Sequence, residues 1–173
     1  MTKKKEPIVS VVMGSDSDLP VMMEAVNILK MFHIPHEVYL TSAHRAPERT
    51  ALFAKTAQKR GVKIIIVGAG AAAHLAGVIA SQTPLPVIGV PLDATTLGGL
   101  DALLSTLQMP GGIPVATMAV GKAGAKNAAL FAVRMLALND IKLGKELAAY
   151  IENMAGDVLK KQEKIQNALH PEN

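Results

Sequence analysis

Apolar runs recur along the chain, each followed by a turn and then by a helical pattern. Residues 8–13, IVSVVM, are apolar but for one serine and predict a buried strand. After the loop at 14–18, Leu19-Pro20 opens a helical stretch to about residue 32, with proline in the first turn, where its missing N–H costs nothing. Residues 37–40 predict a second strand and 47–59 a second helix, stopped by Gly61. Residues 62–67 are almost wholly apolar and predict a third strand. Gly68-Ala69-Gly70 then reads as the turn into an alanine-rich helix reaching about residue 81. A fourth strand at 86–90, a loop at 91–99, a helix at 100–107, a fifth strand at 115–120 and a helix at 122–138 complete the series. Strands that are apolar on both faces and alternate with helices belong to a parallel sheet covered on both sides. The expected fold is therefore α/β, a three-layer α/β/α sandwich of the flavodoxin or Rossmann-like kind.

Residues 140–173 continue past the last strand and have no place in such a sheet. Ile141, Leu143, Leu147, Ile151, Met154, Val158, Leu159 and Ile165 fall at roughly helical spacing, with Gly156 and the charged run 160–164 read as interruptions. The chain is thus read as a flexible segment 1–6, a catalytic domain 7–139 and a helical extension 140–173. The extension packs either on its own domain or on a neighbouring subunit.

Composition narrows the chemistry. Half of the 173 residues are apolar but only 3% are aromatic, so the core is aliphatic. No cysteine is present, which excludes disulfides and thiolate metal sites and fits a reducing cytoplasm. The apolar run near the start is too short for a signal peptide, and no stretch is long enough for a membrane span. The net charge of +4 is concentrated in lysines near the two ends without interleaved aromatics, which argues against nucleic-acid binding. His33 and His36 flank a connecting loop with Glu37 as the one carboxylate beside them, too small a ligand set, so no metal is expected.

In an open parallel sheet, ligands bind beyond the C-terminal ends of the strands. That edge gathers the segments 14–18, 41–46, 68–74 and 91–99. Gly14-Ser15-Asp16-Ser17-Asp18 opens a helix and reads two ways. It can hold a sugar phosphate, with N–H groups and Ser15 on the phosphate and Asp18 on ribose hydroxyls, or it can simply cap the helix through Ser17 or Asp18. In Ser42-Ala43-His44-Arg45, Arg45 can take a phosphate bidentately and His44 is the side-chain type that carries a proton near neutral pH. The bland reading is a polar surface loop. Gly68–Leu75 is small-residue backbone apart from His74, which is either structural or a supporting group. The loop 108–114, QMPGGIP, lies at the opposite edge of the sheet, and Met109 would serve there as an apolar lid for a neighbouring subunit.

Together these motifs resemble the class I 5-(carboxyamino)imidazole ribonucleotide mutases, the PurE family of purine biosynthesis. The resemblance rests on GSDSD at 14–18, SAHR at 42–45, GAGAAAHL at 68–75 and LLSTLQMPGGIPVAT at 103–117. It implies a carboxylate transfer from an exocyclic nitrogen to ring carbon 4 of an aminoimidazole ribonucleotide, without metal or organic cofactor. It also implies a homo-octamer with active sites at subunit junctions. By motif, Ser15, Ser42 and Arg45 would hold the phosphate and Asp18 the ribose. Gly70, Ala72 and Leu75 would line the base pocket, His44 would carry the proton and His74 would support it. One departure is Ala76, where the family usually has proline. Two alternatives stay open at this stage: a class II carboxylase that joins CO2 directly to the ribonucleotide, and a nucleotide-binding domain with no catalysis.

Overall fold

Val9–Met13 forms β1, and all five of its residues are buried. The structure is a computed structural model and describes residues 6–169. The segment expected to be flexible at 1–6 lies outside the described residues except for Glu6, as does the end of the expected extension at 170–173. His36–Leu40 forms β2, Ile64–Gly70 β3, Val87–Leu92 β4 and Ala116–Thr117 β5. All pairings are parallel, in the order β2-β1-β3-β4-β5. The chain runs outward from β1 to β2, then crosses back to β3 on the other side of β1. That reversal is the topological switch of a flavodoxin-type sheet. Right-handed crossovers on either side of it place helices on both faces, giving the expected three layers.

The helices are α1 Leu19–Met31, α2 Pro47–Ala57, α3 Leu75–Ala80, α4 Leu100–Leu107, α5 Gly121–Ala137 and α6 Ile141–Leu169. The chain divides into two compact units, one ending at Ala132 and one starting at Val133. In the first, an aliphatic core runs through Val12, Ile65, Val67, Leu75, Ile79 and Val87, with Phe53 as its one large aromatic. α1 ends in a Schellman motif: Ile34 N–H donates to Leu29 C=O at 2.9 Å and His33 N–H to Lys30 C=O at 3.0 Å. His33 takes the left-handed conformation that this motif requires, with φ 53°.

Three expectations on secondary structure are corrected. Gly68-Ala69-Gly70 is not a turn but the end of β3, paired with Val90, Pro91 and Leu92. Small residues there answer to packing: a Cβ on Gly68 would overlap the Met22 sulfur, and one on Gly70 the Ala94 methyl. The helix that follows is correspondingly short. β5 is two residues long rather than six, because only Ala116 and Thr117 find partners on β4, and Met118 N–H closes the ladder on Gly89 C=O at 2.9 Å. Gly156 and the charges after it do not interrupt α6, which is one helix of 29 residues. A single glycine costs only about 1 kcal/mol in a helix. The lysines are good helix formers, and Lys160 sits 3.8 Å from Asp157 one turn earlier. Asp140 caps α6, its Oδ1 accepting Leu143 N–H at 3.0 Å.

Candidate active site

The loops after β1, β2 and β3 meet where the topology reverses. They enclose a cavity of about 310 Å3, which Ala94 from the loop after β4 also lines. Ser15, Asp18, Ser42, His44, Arg45, Gly70, Ala72 and Leu75 all line it. Of the substrate and catalytic residues assigned by motif, only His74 is not on its wall.

The first loop is a closed capping box. Ser15 Oγ accepts Ser17 N–H at 3.3 Å, and Asp18 Oδ2 accepts the N–H groups of Gly14 and Ser15 at 3.1 and 2.9 Å. Of the N–H groups expected to be free for an anion, those of Gly14, Ser15, Ser17 and Asp18 are therefore taken within the loop. Ser15 Oγ–H donates to Asp16 Oδ1 at 3.1 Å, so a phosphate must displace that bond to use it. Asp18 is only 7% exposed. Desolvation by burial holds its carboxyl above the usual carboxylate range, against the opposing pull of the two backbone N–H groups and of the Arg45 charge. Its second oxygen remains available to a hydroxyl donor on the ligand.

The second loop is built to stand still. Thr41 N–H extends the β1–β2 ladder by bonding Met13 C=O at 3.0 Å. The buried Thr41 and Thr50 hydroxyls share a bond of 2.9 Å, tying the loop to α2, and Pro47 starts that helix. Ser42 Oγ accepts Arg45 N–H at 3.2 Å, which leaves the Ser42 proton free to donate outward. Arg45 reaches across the cavity mouth, its Nη2 donating to Gly14 C=O at 3.2 Å.

His44 and His74 form a pair. His44 Nε2 lies 2.9 Å from His74 Nδ1, with the rings edge to face at 84°. One nitrogen must donate and the other accept, so the pair shares one proton, and neutral His44 can present either tautomer depending on its neighbour's. His74 thus enters the site through His44 and not through the cavity wall. Between β3 and α3, Ala71 takes φ 53°, a left-handed conformation that costs a non-glycine residue free energy and turns the small-residue segment past the cavity. No pattern in the sequence marks Ala71 or Ala94 as site residues. Ala76 is buried in the first turn of α3, where proline and alanine are both accommodated. Met109 packs over Gly77 of α3 in the same unit. Among the described residues, no cluster of three or more His, Asp or Glu side chains could hold a metal ion.

Comparison with known proteins agrees in family and fold. A model of the AIR carboxylase family matches residues 8–157. The chain is 51% identical over 164 residues to the N5-carboxyaminoimidazole ribonucleotide mutase of Pyrococcus horikoshii, covering 95% of this chain and 92% of that one. It is 52% identical over 165 residues to the phosphoribosylaminoimidazole carboxylase of Candida albicans, but spans only 29% of that longer protein. The crystal structure of Treponema denticola PurE aligns with a TM-score of 0.81 at 29% identity, covering 91% of this chain and 98% of that one.

Proposed function

The chain belongs to the AIR carboxylase family, and from that premise we propose how its cavity works as a 5-(carboxyamino)imidazole ribonucleotide mutase of purine biosynthesis. The enzyme is an isomerase acting on a small-molecule ribonucleotide. The observation that carries the mechanism is the His44–His74 pair at the edge of a small-residue cavity that Ser42 and Arg45 also line. Arg45 and Ser42 take the phosphate, with Ser15 after it exchanges its Asp16 partner, and Asp18 takes the ribose. Gly70, Ala72 and Leu75 flank the flat base, close to the backbone.

His44 then moves one proton twice. As imidazolium it protonates the carbamate nitrogen, the N–CO2 bond breaks, and CO2 is held beside an aminoimidazole. Carbon 4 attacks CO2, forming the new C–C bond, and neutral His44 removes the proton from carbon 4 to restore aromaticity. Protons and charge balance over the cycle and nothing is oxidised. His74 holds the ring in place by its hydrogen bond and fixes the tautomer that His44 presents.

The relative from Candida albicans carries a carboxylase name, which favours a second reading: direct capture of CO2 by the aminoimidazole ribonucleotide. The matched segment spans most of the mutase and a minor part of that carboxylase, so an assay decides between them. Purified protein should convert the N-carboxylated ribonucleotide rapidly without added bicarbonate. Speed with bicarbonate plus aminoimidazole ribonucleotide, and none with the N-carboxylated compound, would establish the carboxylase instead. The same preparation should give the mass of eight chains by light scattering, and a monomer at micromolar concentration would refute the octamer. The octamer is supported by the apolar residues that α6 leaves exposed, Met154, Val158, Ile165 and Leu169 among them. Among the described residues no helix is long and apolar enough to cross a membrane, which accords with an enzyme working in the cytoplasm.

A further inference from the structure

A second cavity, of about 340 Å3, adjoins the first and shares Gly14, Ser15, Ser42 and Arg45 with it. Its far wall carries Arg49, four residues beyond Arg45 across the start of α2. Among the described residues neither arginine has a carboxylate within ion-pairing distance. Arg60, by contrast, lies 2.8 Å from Glu37. Two like charges lining one cavity repel unless an anion lies between them. The one carboxylate on this wall, Asp16, is engaged by Ser15 Oγ–H and Ser17 N–H, and leaves the cavity with a net positive charge.

Arg49 is also held in position. Its guanidinium stacks 4.7 Å over the Tyr39 ring, Tyr39 stacks on Phe53 at 4.5 Å, and Arg60 closes the far side of Phe53 at 4.9 Å. A guanidinium resting on an aromatic ring keeps its N–H groups free to hydrogen-bond an oxyanion at its edge. A guanidinium ordered before the ligand arrives loses less side-chain entropy on binding it.

We propose that Arg49 is a second phosphate-recognising residue, and that the phosphoryl group of the ribonucleotide lies between Arg45 and Arg49 while its base occupies the cavity beside His44. This rests on the reading of the site as a ribonucleotide mutase. It adds a binding role for a residue outside the motifs that carry that reading. Arg45 is then the wall that both halves of the substrate share. Arg49 acts equally on substrate and transition state, being far from the bonds that change, so its removal affects binding more than turnover.

The test is the full-length enzyme with Arg49→Gln and Arg49→Lys, read by steady-state kinetics and by titration with inorganic phosphate. Arg49→Gln is expected to raise KM, and the dissociation constant for inorganic phosphate, each about tenfold, with kcat moving less than about twofold. Arg49→Lys, which keeps the charge and loses the fork, should recover part of both. A purely structural role would lower the melting temperature and leave phosphate titration unchanged, and that result overturns the proposal. Weaker phosphate binding with an unchanged KM would also overturn it, since the anion bound there would not be the substrate's own. If the wild-type enzyme showed no mutase turnover, the functional reading would fail, and the phosphate titration would still decide whether Arg49 binds the anion.

Discussion

Replacing His44 with asparagine is expected to lower kcat by about 10²- to 10⁴-fold while substrate affinity stays within about threefold. Asparagine fills a similar volume and keeps a hydrogen bond toward His74, but it cannot give up a proton and take it back. Its cavity neighbours Ser42 and Arg45 are held by backbone and by the Thr41–Thr50 bond, so the binding half of the site survives. Rapid-quench kinetics with the N-carboxylated ribonucleotide separate the two effects. Unchanged turnover would remove His44 from the mechanism, and the cavity would then be a nucleotide-binding site without catalysis. Loss of affinity as large as the loss of kcat would point to a collapsed loop instead.

The second large effect concerns the fold. Glycine-to-alanine changes inside helices usually stabilise by about 1 kcal/mol. Gly124, in the first turn of α5, is expected to do the opposite. A Cβ there would overlap the Ala119 carbonyl, which is backbone and cannot swing away. Forcing the two segments apart should cost about 3 kcal/mol, the upper end for overpacking. For a chain of this size that lowers the melting temperature by about 10 °C. Gly156 provides the control. It lies in α6 with nothing within 4 Å of where its Cβ would stand, so Gly156→Ala should be neutral or stabilising by up to about 1 kcal/mol. Thermal melts of the two variants side by side check the contrast. Equal shifts would show that helix propensity, not the Ala119 contact, governs position 124.

What could be read from sequence divides along the range of the forces involved. The sheet was legible because nearly continuous apolar runs such as residues 9–13 and 64–67 have few other solutions, and turn chemistry at 14–18 and 41–47 marks its C-terminal edge. Those short-range signals also nominate most of the cavity wall. The features that escaped sequence reading depend on contacts between distant segments. Gly68 and Gly70 look like a turn, yet they are strand residues kept small by Met22 and Ala94. Ala71 takes a left-handed conformation that its residue type disfavours. α6 runs unbroken through Gly156 because the helix formers on either side outweigh the local cost of one glycine. His74 reads from sequence only as structural or supporting, since its side-chain partner lies thirty positions away. Arg49 carried a faint signal in its spacing from Arg45, but only the stack on Tyr39 shows that its guanidinium has a fixed place.

The central claim is that one site, where two adjoining cavities meet at Ser42 and Arg45, holds the phosphate on those residues and presents the imidazole carbon 4 to His44. A crystal structure of the wild-type enzyme with the product nucleotide tests it most directly. The account predicts the phosphate against the Arg45 guanidinium and the Ser42 hydroxyl, with a ring nitrogen of His44 within about 3.5 Å of carbon 4 or its new carboxylate. A fully occupied nucleotide whose base turns away from His44, or whose phosphate sits apart from Arg45, would contradict it.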